Sequence, residues 1–176
     1  PDVLRVANCS GFYGDRLSAA REMVDGGPID VLTGDYLAEL TMAILYNQRQ
    51  QRGGNAGYVG TFLKQLREVV EPCIEKGIRI VTNAGGLNPA GMAEDVRAIL
   101  DELSVNATVA YIDGDDLVGR MDALTDAGET FTNLDKGIAL RASGNEVLTS
   151  NAYLGAWGIK EALDRGADIV ICPRVT

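Results

Sequence analysis

Histidine is absent from all 176 residues. Its absence excludes a Ser-His-Asp triad, a Cys-His dyad, an HExxH zinc site and any histidine general base within this chain. Proton transfer here must fall to Asp, Glu, Lys, Tyr or Cys. Cysteine is scarce: three residues, an odd number with no CxxC spacing. That pattern argues against a disulfide framework or a zinc site and for a reduced, cytoplasmic chain. Cys9 and Cys172 follow apolar runs near a prospective site, although buried inert thiols are the commoner use of such residues. No apolar run approaches the ~20 residues of a membrane span, and no secretory leader pattern opens the sequence. Basic residues are few, 16 against 25 acidic, for a net charge of −9. With no long basic run, a nucleic-acid partner is excluded.

Two nucleotide signatures are also missing. After the first apolar run, Ser10-Gly-Phe-Tyr-Gly14 carries only two glycines in place of GxGxxG, and Asp35 is the only acidic residue near the end of the second run. A dinucleotide site is weakly supported, and no Walker A motif is present.

What the chain does have is a repeated event. Short, non-alternating apolar runs at 3–7, 29–33, 78–82, 107–112 and 169–172 each end in polar or glycine residues, and helical periodicity follows the first four. Such runs suit strands of a parallel sheet buried on both faces. The fold expected is a single α/β domain over 1–176, an open Rossmann- or flavodoxin-like sheet of at least five strands with helices on both faces. At this length about 70% of the unfolded surface can be buried. The start at Pro1 and the stop just after a strand lead us to expect the N-terminal part of a longer protein.

In such sheets ligands lie beyond the carboxyl ends of the strands. The third run opens onto Asn83-Ala-Gly-Gly-Leu-Asn-Pro89. Asn88 suits a helix N-cap, Pro89 the first helical position, and Gly85 and Gly86 a close ligand approach or positive φ. A helix N-terminus there would favour phosphate or carboxylate. On this piece alone a plain tight turn is an equal reading. The fourth run ends in Asp113-Gly-Asp-Asp116, and the second in Asp35. Carboxylates at strand ends can act as bases, hold hydroxyls or bind Mg²⁺. We expect Asp113 and Asp35 to be catalytic. Asn8, Ser10, Gly11, Asn83, Gly85, Gly86, Asn88, Asp115, Asp116, Asn151 and Arg174 are the expected ligand contacts. Should a metal bind, Asp113 and Asp116 are its ligands. For one of Asp115 and Asp116, capping the following helix is the better reading.

Apolar stripes predict the helical faces: Leu37, Leu40, Ile44 and Leu45; Phe62, Leu66, Val69, Val70 and Cys73; Met92, Val96, Ile99, Leu100 and Leu103; Leu154, Trp157 and Ala162. Residues 47–57 read as a polar surface loop. Residues 129–150 read as an inserted β-hairpin.

Six segments carry a resemblance: Ser10-Gly-Phe-Tyr-Gly-Asp-Arg16, Gly34-Asp-Tyr-Leu-Ala-Glu-Leu-Thr41, Asn83 through Gly91, Gly114-Asp-Asp116, Asn151-Ala-Tyr-Leu-Gly-Ala156 and Gly166-Ala-Asp-Ile-Val170. In this order they resemble the N-terminal region of the acyclic terpene utilisation (AtuA-like) family. The chain departs from the family pattern at Pro173-Arg174-Val175, where a glycine usually precedes the arginine. The resemblance implies a cytoplasmic protein acting in degradation of citronellol- and geraniol-type compounds through acyl-CoA intermediates. It brings no settled reaction. The function expected is an enzyme of organic-acid or acyl-CoA catabolism with a CoA thioester or small anion as ligand. Alternatives are a non-catalytic subunit that binds acyl-CoA or a small acid, and a nucleotide-binding domain. Homo-oligomerisation stays open.

Overall fold

A computed structural model describes residues 3–176. Five strands form one sheet: β1 (Val6–Asn8), β2 (Val31–Gly34), β3 (Arg79–Thr82), β4 (Val109–Tyr111) and β5 (Ile169–Ile171). Every pairing is parallel and the order is β1-β2-β3-β5-β4. The chain therefore steps one way through β1, β2 and β3, leaves a gap, forms the edge strand β4, and returns to insert β5. Because all strands run together, Asn8, Thr33, Asn83, Asp113 and Cys172 emerge along one edge, as expected.

The reversal at β4 decides which helix covers which face. Right-handed crossovers place helices of forward steps on one face and helices of the return step on the other. On the first face lie α1 (Ala19–Gly26), α2 (Glu39–Arg52), α3 (Gly60–Lys76) and α4 (Pro89–Leu103). The main core follows: Ala7, Leu32, Ile80, Ile169 and Ile171 of the strands pack with Val24, Leu45, Leu66, Val70, Met92 and Val96. The return step contains α5 (Met121–Asp126), α6 (Leu140–Ser143) and α7 (Trp157–Asp164). Its own small core joins Ala162 to Val170 and Cys172, with Val81, Ala110, Ile112 and Ile159 packed beside them. Cover on this second face stops at β3, so Val6 and Asn8 of β1 remain exposed.

The structure corrects four expectations. Helix α2 continues through Arg52, so most of the expected 47–57 loop is helical. Its last turns are polar because they face solvent, and Gln and Arg are good helix formers. Gly53, at φ 83°, ends it. The expected hairpin in 129–150 does not form. That stretch holds only the short helix α6, in mostly exposed surroundings, and pairs with no sheet edge. Leu40 is 74% exposed and Trp157 82% exposed, so neither belongs to a core stripe. Among the described residues no helix is long and apolar enough to cross a membrane.

Candidate functional site

The carboxyl edge holds a cleft of about 310 Å³ above β2, β3 and β5. Thr33, Gly34, Asp35 and Leu37 come from the end of β2, Thr82 and Asn83 from the end of β3, and Cys172, Arg174 and Val175 from the end of β5. Ile159 of α7 closes one side.

Asp35 is positioned by what its neighbour buries. The Tyr36 ring turns into the core, 2% exposed, with its hydroxyl donating to Gln65 Oε1 at 2.5 Å. Gly34 makes that possible, since a Cβ there would lie 2.6 Å from the ring. With Tyr36 facing inward, Asp35 faces out and is exposed. Asn83 then ties the two strand ends together. Its Nδ2 donates to Asp35 Oδ1 at 2.6 Å, and its Oδ1 accepts the Tyr36 N–H at 2.9 Å. The Leu37 N–H also reaches Asp35 Oδ1, at 3.4 Å. Oδ2 of Asp35 takes none of these bonds. The carboxylate is held by one oxygen.

Arg174 brings the opposite charge. Its side chain is only 13% exposed, and its guanidinium carbon lies 4.2 Å from the centre of the Tyr153 ring. Nη2 donates to the Tyr153 hydroxyl and to Glu39 Oε1, the latter at 3.3 Å. The Tyr153 hydroxyl bond, followed by Glu39's own backbone bond and Arg174, holds the Glu39 carboxyl below its ordinary range. Glu39 is 82% exposed, so water screens much of this pair. Loop residue Leu154 fixes the backbone of Arg174: its N–H donates to the Arg174 carbonyl at 3.1 Å. Glu39 and Tyr153 are functional candidates that the sequence reading did not single out. Both lie in segments that carried the family resemblance, which was the available signal.

The other expected residues take different places. Asp115 is 4% exposed and accepts Asn151 Nδ2 at 2.7 Å, while Asp116 and Asn151 form an antiparallel bridge. Burial pushes the Asp115 carboxyl above its ordinary value, and the Asn151 bond partly offsets it. Together they clasp the β4 loop to the segment before α7. Asp116 accepts the Val118 N–H at 2.9 Å, a local turn bond, and the helical turn at Val118–Arg120 has no side-chain cap. Asp113 is exposed at the end of β4. Three strand positions separate it from Asp35. At about 4.8 Å per position that is about 14 Å, too far to act on one atom. Among the described residues no three acidic, cysteine or histidine side chains gather to hold a metal ion.

Gly85 and Gly86 are buried, and their turn is occupied internally. The Gly85 N–H donates to Cys172 O, Gly86 N–H to Asn83 O, and Leu87 N–H to Gly57 O. Asn88 caps α4 by accepting the Gly91 N–H at 3.0 Å, and its amide donates to Gly54 O and Ala56 O. Ser10 is buried with its hydroxyl on Phe12 O, and the Gly11 N–H donates to Asp15. Asn8 stands exposed in register with Thr33, one strand from the cleft. Cys172 lines the cleft, yet burial pushes its thiol up to about 12, far from a reactive thiolate.

These features define an open, parallel α/β protein with a polar, charge-bearing cleft at the carboxyl edge of its sheet. A match to the family described as acyclic terpene utilisation family protein AtuA covers residues 4–176, and the chain belongs to that family. Comparison with curated proteins and with solved structures found no match.

Proposed function

We propose that the chain binds a small organic acid, free or as its acyl-CoA thioester, in the β2–β3–β5 cleft and acts on it as an enzyme of acid catabolism. The observation that carries this reading is the pairing of opposite charges on the cleft walls. Arg174 presents a largely buried cation, and Asp35 presents a carboxylate oxygen that Asn83 leaves free. A buried guanidinium favours a carboxylate or the oxygen of a polarised carbonyl. The free oxygen of Asp35 accepts a hydroxyl or a proton, a role no histidine can fill here. The apolar walls from Leu37, Val81, Ile159 and Val175 suit an aliphatic chain. Membership of an acyclic terpene utilisation family favours branched aliphatic acids.

Calorimetric titration with branched short-chain acids, and with their CoA thioesters, tests the reading. Wild type is expected to bind one of these series. Arg174→Gln should weaken that binding about 10- to 100-fold, the usual worth of a charge-assisted hydrogen bond. Asp35→Asn should bind within a few-fold of wild type and lose turnover. Binding without turnover in wild type would leave a binding subunit. No binding of either series, or unchanged affinity in Arg174→Gln, overturns the proposal.

A further inference from the structure

Arg174 lines the cleft above β2, β3 and β5, but the nitrogen it needs most for gripping a carboxylate is already engaged. A guanidinium docks a carboxylate at two points along two of its edges, Nε with Nη2 or Nη1 with Nη2; its own stem blocks the third. Both edges require Nη2. That atom carries two hydrogens, and two acceptors take them: the Tyr153 hydroxyl and Glu39 Oε1. Nε and Nη1 form no hydrogen bond among the described residues, and neither is shut off from solvent.

Glu39 Oε1 also accepts the Tyr153 O–H, at 2.8 Å. One carboxylate oxygen thus takes both donors, as an oxygen of a bound acid would. The hold on Glu39 is weak on the arginine side. At 3.3 Å its contact with Nη2 is longer than the about 2.7–2.9 Å of a strong charge-assisted pair. The Glu39 side chain is exposed and water screens its charge, whereas Arg174 is largely buried and held against the Tyr153 ring. The cation is therefore fixed and its present anion is replaceable. The Tyr153 bond, followed by Glu39's own backbone bond and Arg174, keeps the Glu39 carboxyl below its ordinary range, so it stays charged at neutral pH.

We infer that Glu39 is a resident competitor for Arg174 and Tyr153, and that it makes the cleft discriminate between ligands. An ionised acid that docks at two points must displace Glu39 from Nη2. An uncharged carbonyl, such as that of a thioester, needs a single donor and finds Nη1 or Nε free with Glu39 left in place. Glu39 therefore weakens the binding of free acids and spares their thioesters. This role rests on the proposed binding of an acid in the cleft.

Titrations followed by amide NMR shifts compare isovalerate with N-methylisovaleramide, a non-hydrolysable stand-in for the thioester carbonyl. Wild type, Glu39→Gln and Glu39→Ala are the proteins used. Both variants should bind isovalerate about 3- to 10-fold more tightly, because one exposed ion pair and one like-charge repulsion disappear. Affinity for the amide should not change, and the gain for isovalerate should vanish when Arg174→Gln is added. Isovalerate binding detected only in the Glu39 variants also supports the inference. Wild-type binding that weakens in Arg174→Gln but is unchanged or weaker in the Glu39 variants overturns the competitor and leaves the acid site standing. An equal gain for acid and amide overturns it too. Isovalerate binding by none of the proteins removes the acid site and the competitor together.

Discussion

Gly86→Ala should destabilise the fold without touching the chemistry of the cleft. Gly86 has φ +54°, a conformation that costs an ordinary residue about 1–2 kcal/mol. The added Cβ would lie 2.4 Å from Leu45 Cδ1 and 2.8 Å from Gly57 O. Neither neighbour yields easily. Leu45 is wholly buried, and the Gly57 carbonyl is already held by the Leu87 N–H at 2.7 Å. Overpacking of this kind adds about 1–3 kcal/mol. The sum, about 2–5 kcal/mol, corresponds to a fall in melting temperature of about 5–15 °C for a domain of this size. Differential scanning calorimetry measures it, with titration of the folded variant alongside. As an expected ligand contact, Gly86 would instead place an added side chain against a ligand above the helix N-terminus. The structure puts α2 in that space. A melting temperature within about 2 °C of wild type would refute the packing argument, since even the strain alone exceeds that.

Other outcomes follow from burial. The folded pKa of Asp115 is raised above its ordinary value of 3.8. The charged carboxylate therefore opposes folding at neutral pH, and that penalty disappears as pH falls through the folded pKa. Asp115→Asn keeps the shape and a hydrogen bond to Asn151, so at pH 7 it should melt at or above wild type, with the gap closing in acid. A loss of more than about 5 °C at pH 7 would mean that the negative charge itself holds the clasp. Burial raises all three thiols, Cys73 to about 11 and Cys172 to about 12. A thiol reagent at pH 8 should find essentially none reactive in the folded protein and three after unfolding. Rapid native labelling of Cys172 would contradict its place beneath the cleft. Asn88→Ala removes the α4 cap and the ties to Gly54 and Ala56, and should cost about 1–2 kcal/mol by chemical denaturation.

The strands were legible because a parallel sheet buried on both faces needs short, continuous apolar runs, and Val31-Leu, Ile78-Arg-Ile-Val and Ile169-Val-Ile provide them. Asn88 and Pro89 likewise announced the start of α4. The insertion of β5 between β3 and β4 was not legible, because strand order depends on which surfaces meet and no local pattern records it. This order is what separates Asp113 from Asp35. Trp157 misled for a related reason: helical spacing marks a face, while exposure depends on whether anything covers that face. Glu39 meets Tyr153 and Arg174 across more than a hundred positions of chain, and no spacing rule joins them.

A crystal structure of the protein soaked with the tightest-binding branched acid tests the central claim most directly. Difference density should fill the cleft above β2, β3 and β5, with the carboxylate within hydrogen-bonding distance of the Arg174 guanidinium and the aliphatic chain against Ile159 and Val175. Density elsewhere, with an empty cleft and Arg174 still turned to Glu39 and Tyr153, would contradict the account.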